Sequence, residues 1–185
     1  KMGSRFGIGS ALTQLGEIAR CEQQYEVAEH YYRESLAHRR ELQAGSANTA
    51  FDFFNLGQTS LMLGRLEQAA TYFEECLLAA EELDSQSFLH HALEGFANLA
   101  SASQKLERAV RLWGAAEAIR KSLGDRLDTP DRLAHEHFID RARMQMDTQA
   151  FQLGWKEGQQ MAREQAVAFA QELVRASTTL ETDSL

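Results

Sequence analysis

Apolar and small residues return along this chain at a fixed interval. Three stretches of 18 residues align without a gap: LGEIARCEQQYEVAEHYY from Leu15, LGQTSLMLGRLEQAATYF from Leu56 and FANLASASQKLERAVRLW from Phe96, at offsets of 41 and 40. In register, small residues recur at Gly16, Gly57 and Ala97 and again at Ala28, Ala69 and Ala109. Large apolar residues recur at Tyr25, Leu66 and Leu106, then at Tyr32, Phe73 and Trp113, and Leu42, Leu83 and Leu123 keep the same step. The pattern predicts a stack of helical hairpins. In each, a first helix of about four turns carries the small residue where its partner approaches closely. A turn follows near 22–24, 64–65 and 103–104. A second, longer helix sets alanine and the aromatic four residues apart, on one face. Gly45 with Ser46, Asp84 with Ser85, and Gly124 mark helix ends, as C′ residues or N-caps.

The hairpins occupy 10–124. Beyond them, Thr129 and Pro130 start a helix that runs to about Met146, with Pro at the first helical position and Asp131 in the first turn. Phe151, Trp155 and Met161 offer apolar anchors, and Ala166, Val167, Ala170, Leu173 and Val174 mark an amphipathic last helix. A helical stack must cover the exposed face of its final repeat, so 125–177 reads as a capping unit. The first nine residues, KMGSRFGIG, are glycine-rich and lack helical periodicity; they read as a disordered or expression-derived end, or as an internal cut from a longer protein. The polar residues 178–185 read as a fraying tail.

Composition narrows the class. Ala occurs 27 times and Val plus Ile only eight, which excludes a β-sandwich or barrel and leaves an all-α chain. No apolar run approaches the roughly 20 residues that cross a bilayer, so no membrane partner is expected. The net charge of −8, spread along the helices, repels phosphate backbones and argues against direct nucleic-acid binding. Cys21 and Cys76 lie far apart outside any CxxC pair, as in a reducing cytoplasm, where thiols act as small apolar fillers.

The repeated residues resemble the tetratricopeptide repeat, with its small residue after a leucine, alanine twelve positions later and aromatic four beyond. The period here is longer than the usual 34, and the family's tryptophan in the first helix and its terminal proline are missing from all three units. The resemblance implies a helical-hairpin solenoid over roughly Ser10 to Leu123. RLWGAAEAIRKSLGDRLDTPDR, followed by FQLGWKEGQQMAREQAVAFA, is similar to the C-terminal ends of bacterial signalling ATPases and LuxR-type transcription regulators. That likeness implies the sensor or interaction part of such a protein. Neither a P-loop nor a helix-turn-helix occurs in this chain.

Motifs for catalysis are missing. There is no Walker A, nucleophile elbow, HExxH or CxxC pair, and Gly3, Gly7 and Gly9 follow no strand that would make them a phosphate loop. His90 and His91 are adjacent and His135 and His137 are two apart. Neither spacing sets both rings on one helix face, so no metal or other cofactor is expected. Carboxylate pairs such as Glu74–Glu75 and Glu81–Glu82 read as solvated faces.

Family groove positions, carried onto matching places, give a concave wall of Glu17 and Arg20, then Phe51, Phe54, Gln58, Leu61 and Met62, then His91, Glu94, Asn98 and Ser101. Phe51 and Phe54 lie on a different face from Phe53 and Leu56. They form either an aromatic floor for a ligand or part of the core. The leading expectation is a non-catalytic module that binds a protein or peptide, its own copies or the upstream part of its parent. A small organic effector is the alternative, and an enzyme site assembled from distant segments is a remote third.

Overall fold

The computed structural model describes residues 2–41 and 46–182, with side chains over 7–41 and 49–173. Among these residues every regular element is an α-helix. They run α1 (Met2–Cys21), α2 (Tyr25–Glu41), α3 (Ser46–Met62), α4 (Leu66–Glu82), α5 (Gln86–Ala102), α6 (Leu106–Ser122), α7 (Thr129–Gln145), α8 (Thr148–Gln159) and α9 (Arg163–Thr182). The fold is the predicted helical-hairpin solenoid. Helices α1/α2, α3/α4 and α5/α6 pair as hairpins, and α2 on α3 and α4 on α5 join one hairpin to the next.

The repeated residues make these contacts. Ala28, Ala69 and Ala109 are fully buried, as are Tyr32 and Phe73, with Trp113 nearly so. The Phe73 ring lies against Gly57 of its own hairpin and Gly95 of the next, where a Cβ would collide with it. Tyr32 sits in the same way on Gly16. The turns repeat as closely as the cores. Gln23, Gly64 and Gln104, at equivalent places, all take positive φ (60°, 74° and 61°), and so do Asp84 (47°) and Gly124 (68°) between hairpins. Each closes a Schellman motif; Gln104 N donates to Ser101 O and Lys105 N to Ala100 O.

Several expectations need correction. The second helix of a hairpin is not the longer one: α3, α4, α5 and α6 each have 17 residues, so the extra period is shared equally. Residues 2–9 are not a disordered end but the first turns of α1. Gly9 is buried where the Arg39 side chain crosses α1, and its carbonyl accepts from Thr13 and Ser35. The helical pattern there is hidden because close approach, rather than an apolar side chain, is what the position requires. Residues 178–182 continue α9 rather than forming a tail. At the start of α7 the N-cap is Asp128, which accepts from Asp131 N, and Pro130 stands second in the helix. Leu42 and Gly45 lie outside the described residues, as does the side chain of Val174.

The cap is not one layer. Helix α8 takes the next place in the stack, against α6. The approach is close because Gly114, Gly154 and Gly158 line the crossing; a Cβ at Gly158 would fall on the backbone carbonyl of Arg111 and one at Gly114 on that of Trp155. Helix α9 returns over α4, α5 and α6 and buries Ala166, Val167, Ala170 and Leu173. Helix α7 does not continue the stack but turns back against α1 and α5, touching α6 as well.

Candidate functional site

The residues assigned to a concave wall come together, but beneath α7. This helix buries Asp131, Ala134, Phe138, Ile139 and Ala142, a stripe at helical spacing. Arg20 donates to Asp131 Oδ1 at 2.6 Å and to Asn55 Oδ1 at 2.7 Å. Glu94 pairs with His135 Nδ1 at 3.1 Å, and the Ser101 hydroxyl donates to the Phe138 carbonyl at 3.5 Å. Asn98 accepts from Trp113 Nε1 and donates to Gln58 Oε1. Burial raises the Asp131 carboxyl to about 6 against the pull of Arg20. Glu17, beside Asp128 and Asp131, is also raised, first by burial.

The wall is therefore not the open groove expected from the sequence. Arg20, Phe54, Gln58, Leu61, Glu94, Asn98 and Ser101 are buried; Glu17, Phe51, Met62 and His91 are partly so. Phe54 is core, 6.4 Å from Phe73 between ring centroids, and Phe51 stands edge-on to His91 at 5.7 Å. Sequence reasoning assigned the wall and missed its occupant, Asp131 through Ala142. The signal was present in the polar character of the wall, whose Arg20, Glu94 and Asn98 needed buried partners.

A cavity of about 280 Å³ remains where α1 and α3 meet the start of α7, lined by Arg20, Gln58, Met62, Pro130, Leu133 and His137 among others. Among the described residues, Gln58 Nε2 and Asn55 Nδ2 are buried with no hydrogen-bond partner.

Residues 7–82 match the tetratricopeptide repeat family. The match covers the first two hairpins, and the third keeps their register, turn geometry and core. Tetratricopeptide repeats are generally non-catalytic protein-interaction scaffolds. No curated protein matches the chain. Among the described residues no helix is long and apolar enough to cross a membrane.

With the groove closed, one apolar stripe still open lies on α1, while single apolar side chains such as Leu78, Met144 and Leu153 are exposed on other helices. Leu15 and Ile18 are 43% and 56% exposed, and Ile8 is exposed too. Moving two repeats along, the places of Ile8, Leu15 and Ile18 are held by Leu89, Phe96 and Leu99 of α5, all buried. There the second helix of the preceding hairpin covers the stripe, with Phe73 of α4 6.0 Å from Phe96.

Proposed function

We propose that this chain is a non-catalytic interaction module whose free α1 face stacks on the second helix of a further helical repeat. The observation that carries this reading is the exposure of Leu15 and Ile18 at places where the next repeats bury their side chains. Covering such a stripe removes large apolar side chains from water, each worth about 1.5–3 kcal/mol when fully buried. The natural occupant is the upstream part of the same parent protein. The likeness of 107–170 to the C-terminal ends of bacterial signalling ATPases and LuxR-type transcription regulators supports a cytoplasmic parent of that kind. Self-association through the same stripe is the competing arrangement.

A peptide of residues 66–82, the helix that covers the equivalent face of α5, provides the test. Titrated into the full chain, it should shift the amides of Leu15 and Ile18, and Ile18→Glu should abolish the shift. A peptide response confined to α7, with α1 unaffected, would instead place recognition in the wall. A concentration-dependent dimer sensitive to Ile18→Glu would favour self-association.

The cavity under α7 favours a second reading, a small-effector sensor. Its Gln58 amide nitrogen, which has no partner among the described residues, and its apolar Met62 and Leu133 suit a modest amphipathic molecule. A metabolite that raises the thermal midpoint of the wild type but not of Gln58→Leu would support it.

A further inference from the structure

The adjacent histidines do not diverge as their spacing on one helix predicts. The His90 and His91 ring centroids are 4.1 Å apart, and Asp125, from the link between α6 and α7, completes a group. One ligand atom from each of the three lies within 4.8 Å of the other two. We infer that His90, His91 and Asp125 form a site for a divalent transition-metal ion, of the zinc, cobalt or nickel kind.

Three observations support it. His90 Nε2 and Asp125 Oδ2 are 3.3 Å apart, close to the edge of a tetrahedron about a metal with bonds of about 2.0–2.1 Å, which is about 3.3 Å. Among the described residues His91 Nδ1 is buried with no hydrogen-bond partner; a free lone pair in such a place is what metal coordination satisfies. Finally, Asp125 is half-exposed and its Oδ1 accepts from Arg126 N, which fixes the carboxylate at the mouth of the site and leaves Oδ2 turned to His90. Two imidazoles and one carboxylate suit borderline transition ions rather than magnesium or calcium.

Position gives the site a consequence. His90 and His91 stand in α5, and Asp125 lies four residues before α7. An ion there would tie the base of the wall to the segment that carries α7 into it.

The test uses the full chain stripped with a chelator. Zn²⁺ should bind with a stoichiometry of one, read by calorimetry, and Co²⁺ should develop visible bands of a tetrahedral complex. Asp125→Asn, at a half-exposed position, should weaken binding at least tenfold, and so should His91→Phe, which keeps a ring against Phe54. Absence of binding at millimolar ion would overturn the assignment. So would binding that both variants retain unchanged, which would locate the ion elsewhere.

Discussion

The Arg20 guanidinium and the Asp131 carboxylate meet at 2.6 Å across 111 positions of sequence, and both are almost wholly shielded from water. This pair fastens α7 to the inner wall. Breaking it one-sidedly leaves a buried charge alone, so Asp131→Ala should lower stability by about 3–5 kcal/mol. Arg20→Met combined with Asp131→Leu should recover most of that loss, because apolar packing can replace the pair. Urea unfolding of the three variants measures both effects. If Asp131→Ala costs nothing, α7 is not held there.

Gly158 permits the approach of α8 to α6. Gly158→Ala would push a methyl into the Arg111 carbonyl, and the backbone has to move. A loss of about 3 kcal/mol is expected, near the upper end for an overpacked site. Gly7, which has open space around it, is the control: Gly7→Ala should be neutral or raise the thermal midpoint slightly.

Gln104 holds a left-handed conformation at φ 61°, in the place that glycine occupies one repeat earlier at Gly64. Gln104→Gly should therefore stabilise the chain by up to about 1 kcal/mol. The Gly64→Gln exchange should cost a similar amount. Chemical denaturation of the pair decides whether the turns are equivalent.

Asp52 gives the chain a pH signature. It is fully buried among Arg39, Ser35 and Thr13, and burial, outweighing these partners, raises its carboxyl to about 6. In the folded state it binds a proton more tightly than in the unfolded state, where its value is about 3.8. Relative to Asp52→Asn, the wild type should gain stability as pH falls from about 6 to 4, by about 3 kcal/mol at most. A difference between the two proteins that stays constant with pH would contradict this.

The hairpins were legible because each rests on local chemistry repeated three times: a small residue facing an aromatic, an alanine one turn before it and a left-handed turn residue. Phe54 was ambiguous because its face of α3 is amphipathic only in relation to neighbours that the helix itself does not reveal. The path of α7 was hidden for a different reason. Asp131 reads locally as a good first-turn acid and Thr129–Pro130 as an ordinary helix start, so nothing near them points to Arg20. The α1 helix was obscured by Gly7 and Gly9, whose low helix propensity masks a position chosen for the crossing of Arg39. The approach of the His90 and His91 rings was hidden because helical spacing says nothing of Asp125, which bonds His90, or of Phe51 and Phe54, which flank His91.

The central claim is that the chain seals its own concave wall with α7 and leaves α1 as the face for contact. Cys21 offers a direct probe. It is exposed beside Pro130, Leu133 and His137, whereas Cys76 is buried with its thiol pushed up to about 12, so a nitroxide reagent will label Cys21 alone. Amide signals of Leu133, Ala134 and His137 should broaden strongly in the labelled full chain and recover when the nitroxide is reduced. Undiminished signals from all three in the oxidised sample would mean that α7 lies away from the wall.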